Sequence, residues 1–140
     1  MRNGRSFNAA FFFLSLAILS SPGFTQVKPE TVRVGVIQSR AGIAAEDGKT
    51  VVQALELAAQ DLQAAGLPLV ELLVEDDGSE SKNAVSAFQK LRAAKVDAVI
   101  GATWDFTTNS ILPAVVQAGI PVFNTSTLPE SLNLKVAGGL

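Results

Sequence analysis

Two short segments concentrate the side chains that could hold a small polar molecule. Gly101-Ala-Thr-Trp-Asp-Phe-Thr-Thr108 carries hydroxyls, an aromatic pair and one carboxylate. Asn124-Thr-Ser-Thr127 carries three hydroxyls and an amide. Groups of this kind orient a solute through hydrogen bonds and need no general base. A third segment, Glu75-Asp76-Asp77, is purely acidic. It could be a metal or phosphoryl-acceptor cluster, but adjacent carboxylates without further ligands are poor cation sites. Asp77 followed three residues later by Glu80 resembles a helix-capping arrangement instead.

Whole classes of chemistry are missing. The chain has no His and no Cys. A Cys/His zinc site, a Ser-His-Asp triad and a Cys nucleophile are therefore excluded. There is no G-x-G-x-x-G and no P-loop, so no motif supports a dinucleotide or ATP. No cofactor and no metal are expected. The formal charge is −2, with no basic run. Nucleic acid and anionic membranes are unsuited partners, since both need clustered Lys and Arg.

The elements that must position these segments follow from periodicity. Thr31 to Gln38 is β-branched and nearly alternating, which predicts a strand. Glu46 to Ala65 predicts a long helix with an apolar stripe at Val51, Leu55, Ala58 and Leu62. Glu46 and Asp47 suit its first turn, and Gly66 with Pro68 ends it. Leu69 to Glu75 predicts a second strand. Glu80 to Ala94 predicts a helix with Ala84, Phe88 and Leu91 inward. Val96 to Gly101 is a short apolar run of the kind buried on both faces. Phe106 to Ala118 predicts a third helix, kinked at Pro113 or starting near Ile111. Gly119 ends it, and Ile120 to Asn124 predicts a fourth strand with Pro121 near its start.

This β-α-β-α-β-α-β alternation implies an α/β fold: a parallel sheet with helices on both faces. In such sheets ligands sit beyond the carboxyl ends of the strands, at the switch in strand order. A strand order of 2-1-3-4 places that switch between strands one and three. The first, third and fourth loops then rim one cleft. Free N–H groups at the third helix could hold a ligand carboxylate, although Asp105 or Thr107 could equally cap that helix.

The N-terminus reads as an address. Arg2 and Arg5 precede the apolar run Ala9 to Leu19, and Ser20-Ser21-Pro22-Gly23 follows. The run is shorter than the roughly 20 residues that span a bilayer. Residues 1–23 are expected to be a cleaved signal peptide, giving a periplasmic or secreted protein. Cleavage after Gly23 removes two arginines and moves the charge to −4, nine Lys and Arg against thirteen Asp and Glu. Residues 24–30 read as an N-terminal arm.

Taken in order, several stretches resemble the type I periplasmic binding proteins. The likeness is to the leucine/isoleucine/valine-binding branch, which serves ABC transporters. The stretches are Val32 to Ile37, Ala41 to Gly48, Val74 to Ser79, Val96 to Gly101, Gly119 to Phe123 and Ser126 to Glu130. The resemblance implies a receptor that captures an amino acid between two lobes and delivers it to a membrane permease. It implies ligand contacts at Asp105, Phe106, Thr107, Ser126 and Thr127. Asp47 falls where some members place an aromatic over the ligand. Asp105 stands where a serine often meets the ligand carboxylate. Those two acids point to a solute bearing an amine, amide or cationic group. Residues 31–140 would then be part of the first lobe only. The alternatives are a truncated fragment without function, an exported enzyme with Asp47 or Asp105 as general base, and a receiver-like module using Asp76 or Asp77. The export signal and the position of the acids argue against the last.

Overall fold

The computed structural model describes residues 31–132. The expected signal peptide, the arm and the terminal residues 133–140 lie outside the described residues. The elements run β1 (Val32–Gln38), α1 (Ala45–Ala64), β2 (Val70–Asp76), α2 (Ser81–Ala93), β3 (Ala98–Ile100), α3 (Trp104–Ala118) and β4 (Val122–Phe123), then a 3-10 turn at Pro129–Ser131. The four strands form one parallel sheet in the order β2-β1-β3-β4. β1 pairs with β2 from Val32↔Val70 to Gln38↔Asp76, and with β3 from Val34↔Ala98 to Val36↔Ile100. β3 pairs with β4 at Val99↔Val122.

Alternation along β1 sends its residues to two different layers. Ile37 joins Val99 and the α2 and α3 side chains Ala84, Ala87, Phe88, Leu91 and Ile111 in the main core. The three inward α2 positions read from the sequence, Ala84, Phe88 and Leu91, are all buried. The opposite face meets α1, and an apolar groove there is lined by Val34, Leu72 and Ile100 of the sheet and Leu55, Ala58 and Leu62 of α1. The α1 stripe thus faces the sheet, but loosely. Val52 is its buried apolar residue, whereas Leu62 is 39% exposed.

Several boundaries differ from the sequence reading. β3 and β4 are shorter than expected, because regular pairing reaches only Val99 and Ile100 opposite Val122 and Phe123. α3 begins two residues early and runs through Pro113 to Ala118. Gly119 stops it with φ 64°, and its N–H bonds the Val115 carbonyl at 3.0 Å, as a left-handed C-terminal residue should.

Candidate functional site

The loops beyond the carboxyl ends of β1, β3 and β4 meet at the switch between β1 and β3. They meet because the chain leaves β1 toward one face and β3 toward the other, which opens a crevice between the two exits. α1 and α3 therefore both begin at this edge. Each presents an acid in its first turn, Asp47 and Asp105 respectively, where the helix dipole favours negative charge.

A hydrogen bond bridges the crevice at its exposed edge. The Trp104 indole Nε1 donates to Asp47 Oδ2 at 3.0 Å. Trp104 holds φ at 61°, a left-handed conformation uncommon for a bulky residue and often found at functional positions. Its ring also meets Phe106 edge-on, with centroids 6.1 Å apart and planes at 75°, a favoured aromatic geometry. Phe106 is 38% exposed.

Neither Asp105 nor Thr107 caps α3. The N-cap position is Thr103, with no side-chain cap bond. Asp105 instead takes its neighbour's amide, since Phe106 N donates to Asp105 Oδ1 at 2.8 Å. Thr107 is buried, and its hydroxyl donates back to the Trp104 carbonyl at 3.3 Å. The Thr107 hydroxyl is therefore turned into the helix. Asp77 and Glu80 do not form the capping arrangement either. Glu80 is the N-cap of α2 and makes no side-chain cap bond. Asp77 reaches sideways, accepting from Ser79 N at 2.9 Å and from Ser39 Oγ at 2.5 Å.

The fourth loop is tied to α3. Asn124 Nδ2 donates to Thr108 Oγ1 at 2.9 Å and to Thr127 Oγ1 at 3.0 Å. Asn124 Oδ1 accepts from the Ser126 and Thr127 amides at 2.9 and 2.6 Å, an Asx-type turn. Ser126 is exposed, and its hydroxyl lies 3.2 Å from that of Thr125. Of the six residues singled out from the sequence, Asp47, Asp105, Phe106 and Ser126 are exposed at this edge, Thr127 is half-buried and Thr107 is buried. Sequence reasoning did not single out Gln38 or Ser39, and it counted Thr103 only among the hydroxyls of the third loop. All three are fully or almost fully buried under the loops. Their only sequence signal was polarity at a strand end.

The arrangement offers carboxylates, hydroxyls and an aromatic wall around one crevice. Gly101 lets the third loop pass close behind it. With φ at 119°, an added Cβ there would lie 2.0 Å from the Ile37 carbonyl oxygen, so no other residue fits without moving β1. Among the described residues, no group of His, Cys, Asp or Glu could hold a metal ion. No helix among them is long and apolar enough to cross a membrane.

Comparison with known proteins places this architecture. A family model described as periplasmic binding protein matches residues 31–136. The branched-chain amino acid transporter substrate binding protein LivJ from Streptococcus pneumoniae, solved with isoleucine, is 26% identical with a TM-score of 0.69. That match covers 72% of this chain and 30% of the other. The leucine binding protein LivK from Thermotoga maritima is 24% identical, TM-score 0.63, covering 71% of this chain and 29% of the other. A solute binding protein of an ABC transporter from Rhodopseudomonas palustris, solved with 3,4-dihydroxy benzoic acid, is 24% identical, TM-score 0.62, covering 69% and 27%. The latter two are likenesses of fold. No curated protein sequence matches. The chain spans about 30% of the length of the solved structure LivJ. With its parallel sheet, its 2-1-3-4 order and its matched residues 31–136, the chain belongs to the periplasmic binding protein family.

Proposed function

We propose that this chain supplies part of the first lobe of an exported receptor for an ABC transporter, and that its crevice receives an amino acid or a related small solute bearing an amine or amide. The observation that carries this reading is the Trp104–Asp47 bridge over the switch between β1 and β3. It gathers an acid, an aromatic face and the third loop where open α/β sheets bind ligands. A membrane permease would be the partner that receives the solute. No catalytic role is assigned, because holding a solute needs donors and acceptors and no proton transfer.

The acids select the solute's charge. An ammonium or amide N–H would meet Asp47 and Asp105 favourably, and a cationic head could also lie against Trp104. A solute carboxylate at the start of α3 would compete with Asp105, which already occupies the Phe106 amide. Replacing that acid removes both the occupancy and the repulsion. Asp105→Ser is therefore expected to tighten L-leucine by about tenfold, or about 1.4 kcal/mol, measured by titration calorimetry against the parent chain. Unchanged or weaker leucine binding in the variant would contradict the role given to Asp105.

A further inference from the structure

A line of hydrogen-bonded polar groups, buried as far as its last member, crosses the carboxyl edge of the sheet and touches the exit of every strand. It begins after β2 at Asp77, whose Oδ1 accepts from Ser39 Oγ at 2.5 Å. Ser39, at the exit of β1, donates its backbone N–H to Thr103 Oγ1 at 2.7 Å. Thr103, after β3, donates its hydroxyl hydrogen bond to Gln38 Oε1 at 2.9 Å. Gln38 Nε2 then points across to Thr125 Oγ1 at 3.4 Å, in the loop after β4. Asp77, Ser39, Gln38 and Thr103 are at most 1% exposed.

The line has a direction. Thr103 Oγ1 accepts from the Ser39 amide, so its single proton is free to go to Gln38. That fixes Oε1 of Gln38 toward Thr103 and leaves the Nε2 donor for Thr125. A buried amide is costly unless its groups are paired, and an apolar chain of similar length would fill the same space. What the amide adds is a direct link between the two loops, beside the bonds that tie the fourth loop to α3 through Thr108 and the chain after it through Asn109. The third loop leads into Asp105 and Phe106 at the start of α3, and the fourth loop carries Ser126 and Thr127. Gln38 itself is fully buried, so it acts through its neighbours.

We propose that Gln38 is a positioning residue that fixes the loop after β3 relative to the loop after β4, through Thr103 and Thr125. The proposal takes its interest from the solute-binding reading above, but its test needs no solute. The Ser126 and Thr127 amides, both bonded to Asn124 Oδ1, are natural hydrogen-exchange probes of the fourth loop. Amide exchange is measured by NMR on the parent chain, on Gln38→Met and on Thr125→Val. Gln38→Met is expected to speed exchange at Ser126 and Thr127 by roughly tenfold, and to shift the Thr103 to Thr107 amide signals. Amides in the middle of β1 and α2 should keep their rates relative to global unfolding. Thr125→Val alters an exposed residue and removes the last link together with the Thr125–Ser126 hydroxyl contact, so it should fold even if Gln38→Met does not, and Thr127 is the cleaner probe of the link. This variant is expected to speed Ser126 and Thr127 while leaving the third-loop signals in place. The proposal is overturned if Thr125→Val leaves both amides unchanged, or if Gln38→Met accelerates all amides equally, as a general loss of stability would. Failure of the solute titration described below would sink the binding reading and leave this measurement intact.

Discussion

Gly48→Ala is expected to destabilise the chain by about 3 kcal/mol, although helix propensity alone favours alanine by roughly 1 kcal/mol. Gly48 lies in the first turn of α1 and is buried. An added Cβ would sit 1.9 Å from the Ser39 carbonyl oxygen, 2.6 Å from its carbon and 2.8 Å from its nitrogen. These are backbone atoms, and Ser39 has little freedom to retreat. Its N–H is held by Thr103 and its hydroxyl by Asp77. α1 must therefore lift away from the end of β1, carrying Asp47 with it. Guanidinium unfolding measures the loss. The emission of Trp104, the single tryptophan, reports whether its bond to Asp47 has broken. A stabilised variant would mean that propensity outweighs the contact, and that α1 is not seated on Ser39.

The second large effect belongs to the opposite face. Phe88→Ala is expected to cost about 3–5 kcal/mol, a large share of the 5–15 kcal/mol typical of a domain. Phe88 is fully buried among Ile37, Leu91, Val99 and Ile111. α2 and α3 hold it between them and the sheet, so a cavity there cannot easily collapse. Leu62→Ala is the control. Leu62 packs on the open α1 side and is 39% exposed, so its truncation should cost well under half as much. Both are read from denaturation midpoints under one set of conditions. Equal losses would mean that the α1 face is as closely packed as the α2–α3 face.

The contrast between these faces explains what could be read in advance. The period of α2 placed Ala84, Phe88 and Leu91 inward because three partners on that side are apolar and close. The α1 stripe was legible as a direction but not as a depth. Val52, one residue from the expected Val51, is the buried apolar position, while Leu62 near the end of α1 stays 39% exposed. The polar residues under the loops were the hardest to assign. Gln38 and Thr103 are 65 residues apart, and Ser39 and Asp77 are 38 apart. No local pattern announces such partners, so Asp77 read as a cap for the helix beside it. The exposed acids were easier: Asp47 read as a first-turn acid favoured by the helix dipole, and Asp105 as a residue at the start of the third helix. That Trp104 bridges to Asp47 was not visible, because it depends on a φ of 61° that sequence does not advertise.

The most direct test of the account is an amide NMR titration of the chain with L-leucine and with a simple alkylamine at millimolar concentration. The solute-receptor reading predicts shifts concentrated in Thr103 to Thr108 and Asn124 to Thr127, with the Trp104 indole N–H moving as a solute amine competes for Asp47. Shifts that avoid both loops, or no shift with either solute, would contradict the claim that this crevice is a solute site.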